Sequence, residues 1–285
     1  MGRDDPHRFR RFPGLQPGGP GGHRGSVRFR FESQGEANFL GPERSMEIQR
    51  SLGADIVMAF DECVEYPASH EYVQQSVGRT TRWAERCLTV DLQPHQYLFG
   101  IVQGGVHAAL RRQSAREITA LPFDGFAVGG VSVGEGLDLL KEVVGLTAPL
   151  LPPEQPRYLM GVGLPEDILA SVARGMDMFD CVIPTRYARN GTLFSRVGKL
   201  RIMDKTFRKD KYPVDTHCRC YTCQTYSRMI LRYLFFTRDP LAETLATIHN
   251  LTFYQDLMVA IRDAIEKGNF ENFQREWLDR YFKKR

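Results

Sequence analysis

The chain has 285 residues, 42% hydrophobic and 25% charged, with a net charge of +4 and an isoelectric point near 8.7. That length suits one large α/β barrel or two ordinary domains, and the composition excludes disorder as a global description. No run approaches the ~18 apolar residues of a membrane span, and the arginine-rich start lacks the apolar centre of a signal peptide. A cytoplasmic protein with no membrane partner is therefore expected, and its mild basicity permits a polyanionic partner without requiring one.

Residues 1–25 are rich in Pro, Gly and Arg, and Phe9, Phe12 and Leu15 share no usable period. They read as a disordered, RNA-attracting tail. Val27, Phe29 and Phe31 then alternate with charged residues, and Ser33-Gln34-Gly35-Glu36 leads into Ala37-Asn38-Phe39-Leu40, the pattern of a hairpin. A short helix opened by Pro42 and ended by Gly53 follows.

From there one pattern recurs, a short apolar run with a polar or glycine-rich end, followed by an amphipathic helix. The runs are 55–60, 97–102, 125–128, 157–162 and the stretch around Phe179; helices are expected over 71–88, 106–121, 137–147 and 166–174. Continuous apolar strands alternating with helices imply a parallel sheet, either doubly wound or a (β/α)₈ barrel.

In such folds the site gathers at the carboxyl ends of the strands. Here those ends carry Asp61-Glu62, Gln103-Gly104-Gly105, Gly129-Gly130, Gly161-Val162-Gly163 and Asp180. Carboxylates, an amide and close-approaching backbone suit a flat, hydrogen-bonding heterocycle. Taken singly, each glycine also reads as a tight turn and each acid as a helix cap. Asp180 stands in the apolar run Met178-Phe179-Asp180-Cys181-Val182-Ile183, where desolvation would strengthen its electrostatics. It reads as a nucleophile or base, or else as a cap for the next turn. Thr185 to Gly191 reads as a basic turn whose Arg186 and Arg189 hold phosphate, stack on a base, or are simply solvated.

Cys63, Cys87 and Cys181 are scattered, whereas Cys218, Cys220 and Cys223 crowd together with His249 farther on. Three thiolates and an imidazole make a closed tetrahedral zinc site, so one structural Zn²⁺ is expected. His249 is placed near the end of a helix that begins after Pro240. Leu251, Phe253, Leu257, Ile261 and Ile265 are expected as one apolar stripe.

Several of these motifs together resemble the tRNA-guanine transglycosylases, the queuine tRNA-ribosyltransferase family, from about Val27 to the C-terminus. They are Met58-Ala59-Phe60-Asp61-Glu62-Cys63, Phe99-Gly100-Ile101-Val102-Gln103-Gly104, Ala127-Val128-Gly129-Gly130, Tyr158-Leu159-Met160-Gly161-Val162-Gly163, Asp177 to Arg186, and the Cys/His quartet. The resemblance implies a (β/α)₈ TIM-barrel type of fold with an inserted C-terminal zinc-binding helical subdomain. It also implies exchange of guanine at the tRNA wobble position for a deazaguanine, through a covalent intermediate on Asp180. Asp61, Gln103, Gly130, Tyr158 and Met160 would hold the base. Gly161, Val162, Gly163, Leu164, Pro165, Glu166 and Asp167, with Thr185, Arg186, Tyr187, Ala188 and Arg189, would contact RNA. Cys218, Cys220, Cys223 and His249 would hold zinc. Val133 and Cys63 are similar to the bacterial pattern, which implies 7-aminomethyl-7-deazaguanine as the incoming base.

The departure from the family is at the start of the chain. Family members carry a longer N-terminal part, which supplies the remaining barrel strands and an Asp-Ser-Gly-Gly-Phe-Gln motif whose Asp is an acid/base and base-binding residue. Back-translating His7 to Pro20 with suitable codons and moving one nucleotide on yields that motif, so residues up to about Gly25 read as an out-of-frame translation. The expected organisation is 1–25 an atypical tail, 26–204 a partial barrel lacking its first strands, and 205–285 the zinc subdomain and C-terminal helices. Five strands cannot close a barrel of eight. That leaves a non-catalytic, zinc-containing tRNA-binding or partner subunit, or an inactive fragment, as alternatives to the enzyme. A homodimer is a further option.

Overall fold

The computed structural model describes residues 27–30, 37–131 and 136–283. The tail, its shifted-frame reading and Val133 lie outside them. The chain divides into two compact units, one running to Gly161 and including Arg174–Phe179, the other made of Val162–Ala173 and Asp180 onward.

In the first unit, β1 (Val27–Arg30) pairs antiparallel with β2 (Ala37–Leu40), Val27 opposite Leu40, which is the hairpin read from alternation. α1 (Pro42–Leu52) follows. A five-stranded parallel sheet is then built from β3 (Ile56–Met58), β4 (Tyr97–Val102), β5 (Gly125–Val128), β6 (Arg157–Leu159) and β7 (Met178–Phe179). Its strand order is simply β3-β4-β5-β6-β7. Each strand lies beside its predecessor in the chain, and crossovers of one hand repeated in one direction place connecting helices on one face. That is the winding of a (β/α)₈ barrel rather than of a doubly wound sheet, and the unit is TIM-barrel-like, an arc of such a barrel.

The connecting helices are α2 (His70–Cys87), α3 (Ala108–Thr119) and α4 (Leu137–Thr147). Ser69 caps α2 by accepting the Tyr72 N–H at 3.3 Å. Its buried face is Val73, Ser76, Val77, Thr80, Trp83, Ala84 and Cys87, the three-four spacing that turns one stripe toward the sheet. β4 is buried from Leu98 to Val102, as expected for a strand covered on both faces. Burying Val77, Phe99 or Ile101 contributes about 1.5–3 kcal/mol each.

The second unit holds α5 (Pro165–Val172), α6 (Ile183–Arg189), the antiparallel hairpin β8 (Thr192–Ser195) and β9 (Gly198–Arg201), α7 (Tyr221–Thr225), α8 (Arg228–Thr237), α9 (Leu241–Glu266) and α10 (Phe270–Phe282). Phe194, fully buried, is its aromatic centre. Tyr187 stacks on it at 5.5 Å between centroids, Phe253 stacks at 5.5 Å, and Tyr254 meets it edge-on at 5.2 Å.

Three details differ from the sequence reading. The basic turn expected at Thr185–Gly191 is helical as far as Arg189, because Pro184 sits in the first turn of α6, where its missing N–H costs nothing. His249 lies in the third turn of α9, which runs on to Glu266 rather than ending near it. In the expected apolar stripe, Phe253, Leu257 and Ile261 are buried, while Leu251 and Ile265 are 44% and 50% exposed. Leu251 stands two residues, or about 200°, from Phe253, and near the end of α9 Ala264 takes the inward position.

Among the described residues no helix is long and apolar enough to cross a membrane.

Candidate active site and metal centre

In the first unit, the ends of β3 and β4 bring Asp61 and Gln103 together. Gln103 is buried, its backbone N–H donates to Ser114 Oγ at 2.9 Å, and its Nε2 donates to Asp61 Oδ2 at 2.5 Å. Burial pushes the Asp61 carboxyl up to about 6 despite the Gln103 hydrogen bond, which works the other way, and Glu62 beside it adds to the rise. Glu62 itself is anchored. Its carboxylate pairs with Arg79 and accepts the Tyr72 hydroxyl at 3.0 Å, and its N–H donates to Thr80 Oγ1 at 3.1 Å. The pair therefore offers a carboxylate on the edge of ionisation beside an amide with further hydrogen-bonding capacity.

Gly129 and Gly130 follow β5 and lie directly against Gln103. A Cβ on Gly129 would come within 2.6 Å of Gln103 Nε2, and one on Gly130 would collide with Gln103 Oε1, besides requiring the positive φ of 63°. Only glycine lets the backbone approach that amide.

The residue that organises this end of the sheet was missed by the sequence reading. Arg111, on α3, is fully buried. Its Nε donates to the Gly105 carbonyl at 2.7 Å, Nη1 to Val102 at 3.0 Å and Gly129 at 2.7 Å, and Nη2 to Gly130 at 3.1 Å. The signal was present in the spacing. Arg111 stands three, four and seven residues before Ser114, Ala115 and Ile118, which form the buried face of α3.

Tyr158 and Met160 lie on and just past β6 and are partly exposed, with Tyr158 opposite Ala127 and Met178 in the register. Gly161, where the chain first leaves this unit, is also partly exposed.

In the second unit, Val162, Gly163, Leu164, Pro165 and Asp167 are buried and Glu166 is partly exposed. Tyr254 donates its hydroxyl to the Gly163 carbonyl at 2.5 Å, which fixes this turn to α9. Of the side chains from Val162 to Asp167, Glu166 is the one that reaches solvent. Asp180, the first residue past β7, is exposed, not desolvated as its apolar neighbours suggested, because the strand stops at Phe179. On α6, Thr185 and Arg186 are partly exposed, Arg189 is exposed, Ala188 is buried, and the Tyr187 ring is engaged with Phe194. Cys63 is exposed.

Cys218, Cys220, Cys223 and His249 are all buried, and their ligand atoms lie within 4.8 Å of one another. His249 Nε2 is 2.6 Å from the Phe194 carbonyl, which can only accept, so this nitrogen carries the proton. In the neutral imidazole Nδ1 is then the lone-pair nitrogen, and it faces Cys223 Sγ at 3.3 Å and Cys220 Sγ at 3.6 Å. Hydrogen bonds from Cys218 and Cys223 lower the Cys220 thiol from its ordinary pKa. Among the described residues, this quartet is a cluster able to hold a metal ion, with its imidazole oriented by a backbone carbonyl behind it.

Comparison with known proteins agrees with this arrangement. A sequence model of the queuine tRNA-ribosyltransferase family matches residues 22–283. The chain is 48% identical over 256 residues to the queuine tRNA-ribosyltransferase of Bacillus pumilus, covering 90% of this chain and 67% of that protein. It is 49% identical to the Bacillus subtilis protein of the same name and 48% identical to that of Lysinibacillus sphaericus, each with the same coverage. The chain belongs to the queuine tRNA-ribosyltransferase family.

Proposed function

We propose that the chain is a tRNA-guanine transglycosylase of the bacterial type, a pentosyltransferase of queuosine biosynthesis that exchanges guanine at the tRNA wobble position for 7-aminomethyl-7-deazaguanine. The observation that carries the reading is the buried Gln103 bonded to Asp61 against the Gly129-Gly130 backbone, at the carboxyl ends of parallel strands in a chain of this family. Asp61 and Gln103 suit the amino, ring N–H and carbonyl groups of a guanine-like base, and Gly130 adds backbone. Tyr158 and Met160 supply flat and polarisable walls.

Asp180 is the nucleophile in this reading. A carboxylate oxygen attacks the ribose anomeric carbon, the bond to guanine N9 breaks, and guanine leaves with the electron pair and takes up a proton. The chain then holds the tRNA as a glycosyl ester. N9 of the deazaguanine attacks the same carbon, the ester bond breaks, Asp180 is released as carboxylate, and the N9 proton departs to solvent. Gly161 to Asp167 and Thr185 to Arg189 would guide the RNA, the arginines by phosphate contact. Cys218, Cys220, Cys223 and His249 would hold a structural Zn²⁺, whose chemistry there is to cross-link the fold rather than to activate water. A cytoplasmic homodimer fits the same reading.

The test is incorporation of radiolabelled guanine into cognate tRNA. Incorporation that disappears in Asp180→Ala supports the enzyme, and incorporation that survives the substitution excludes Asp180 as nucleophile. The second reading is a zinc-containing subunit that binds tRNA without exchange, which the Cys218, Cys220, Cys223 and His249 cluster would serve equally well. tRNA retention with no incorporation by the unaltered chain would select it.

A further inference from the structure

We propose that Arg111 is a positioning residue for the purine-like base, aiming the Gly130 and Val131 N–H groups and setting the seat of the Gln103 amide. The inference rests on the reading of Gln103 and Gly130 as base-recognising groups and adds what holds them.

A guanidinium with no exposed surface is costly to desolvate, so it persists only where its donors are met. Arg111 spends four donor contacts on carbonyls that come from two different strand ends. Val102 and Gly105 flank Gln103 on the β4 side, and Gly129 and Gly130 form the turn after β5. One planar fork thus bolts the two loops to each other and to α3. The Arg111 backbone tightens the same joint, because its N–H donates to the His107 carbonyl at 3.0 Å, and a Cβ on Gly104 would come within 2.7 Å of the Arg111 nitrogen.

The consequence follows from peptide geometry. In a planar trans peptide the C=O and the following N–H point in opposite directions. With the Gly129 carbonyl drawn toward Arg111, the Gly130 N–H must face away from it. With the Gly130 carbonyl drawn in as well, the Val131 N–H is turned likewise. A cation on the carbonyl oxygens also polarises these peptides and strengthens their N–H groups as donors. The arginine therefore never needs to touch the base. It fixes the direction of two donors that can meet a purine carbonyl, and it holds the glycine turn at the distance that leaves room for the Gln103 amide and nothing more.

Lysine keeps the charge but cannot span four carbonyls with a rigid fork, and methionine keeps much of the volume without either property. The experiment uses the full zinc-loaded chain and compares wild type, Arg111→Lys, Arg111→Met and the exposed neighbour control Arg112→Met. Guanine affinity is measured by calorimetry, tRNA affinity by mobility shift, and backbone hydrogen exchange in peptides covering 128–131. Expected for both Arg111 variants are guanine binding weaker by about tenfold or more, faster exchange of the Gly129 N–H, which donates to the Val102 carbonyl at 3.0 Å, and tRNA affinity within about twofold of wild type; the Arg112 variant should match wild type. Guanine affinity unchanged in Arg111→Lys and Arg111→Met overturns the inference while leaving the base pocket standing. Guanine and tRNA affinity falling together, in step with a general rise in exchange, also overturns it, since that is loss of structure and not of aim. A wild-type chain that binds tRNA but no guanine defeats the reading of the pocket itself, and the inference with it.

Discussion

The side chain of Gln49 meets the backbone of Met58 with both ends of its amide. Nε2 donates to the Met58 carbonyl at 3.0 Å, and the Met58 N–H donates to Oε1 at 2.9 Å. β3 bonds to β4 through residues 55, 57 and 59 of the chain, as the Tyr97 N–H to Asp55 carbonyl and Ala59 N–H to Phe99 carbonyl bonds show, so Met58 turns its polar groups to the other edge. Gln49 thus occupies the position a neighbouring strand would take. An open parallel edge is a template for unwanted pairing, and a side-chain amide that satisfies it is a plug.

Gln49→Leu should unplug that edge. Two partly buried backbone groups lose their partners, which costs roughly 2 kcal/mol. The expected result is a lower urea midpoint together with concentration-dependent association on size exclusion. A variant that stays monodisperse with an unchanged midpoint would show the plug to be idle.

Asp61 gives a pH dependence with a definite sign. Its folded pKa is raised from the ordinary 3.8 to about 6, so the unfolded chain releases this proton first as pH rises. Below the ordinary value both states are protonated and no penalty exists. Between the ordinary value and about 6 the unfolded state gains by ionising, and above that the full penalty stands. Asp61→Asn removes it, and because the carboxyl keeps some solvent access the gain is roughly 1 kcal/mol at neutral pH and nil near pH 3.5. Thermal melts of both proteins across that range decide it; equal melting at neutral pH would mean the carboxyl is not destabilised. Guanine affinity should fall in the same variant, since an amide cannot accept two base donors as a carboxylate does.

How much of this was legible in the sequence depended on whether side-chain pattern or geometry carried the information. β4 and β5 are found where the apolar runs stand, because a strand covered on both faces writes itself as an unbroken apolar stretch that stops at a polar or glycine end. β6 is shorter than its run because Met160 and Gly161, apolar in type, form a turn, with Met160 keeping one long bond from its N–H to the Val128 carbonyl at 3.4 Å. The Cys/His quartet was legible from three closely spaced thiols, whereas the Phe194 carbonyl that orients His249 has no side-chain signature. Arg111 hid in plain view, since an arginine on an amphipathic helix reads as solvated unless its phase is counted against Ser114, Ala115 and Ile118. Gln49 and Asn250 were invisible for a related reason. Their roles are hydrogen bonds to backbone, and backbone carries no residue identity to match.

Metal removal tests the quartet. Without an ion, three buried thiols and an imidazole are left to share protons, and the knuckle at 218–223 loses its tie to α9. Chelation should raise hydrogen exchange in peptides covering 192–201, 218–226 and 241–252, with peptides covering 97–128 unchanged. Metal analysis should give one ion per chain, and Cys223→Ala should reproduce the exchange pattern without chelator. Unchanged protection after the ion is stripped would mean that packing around Phe194 holds this unit by itself.

Asn250 is fully buried beside His249, and it closes three backbone positions at once. Its Nδ2 donates to the carbonyls of Pro184 and Thr192, each at 3.0 Å, and its Oδ1 accepts the Phe194 N–H at 3.1 Å. Pro184 lies in the first turn of α6 and Phe194 in β8, so one amide ties α9 to the first two elements after Asp180 in the chain. Asn250→Ala removes three buried hydrogen bonds to backbone at once, a loss of about 2–4 kcal/mol. Asn250→Asp keeps the shape but replaces the double donor with acceptors aimed at carbonyls, and should be the worse of the two at neutral pH. Because α6 carries Thr185, Arg186 and Arg189, loosening its first turn should weaken tRNA binding severalfold while guanine affinity holds. Denaturant melts order the two variants, and mobility shifts against tRNA measure the second effect. If Asn250→Ala lowered guanine and tRNA affinity by the same factor, the amide would be general support for the fold and not a specific brace for α6.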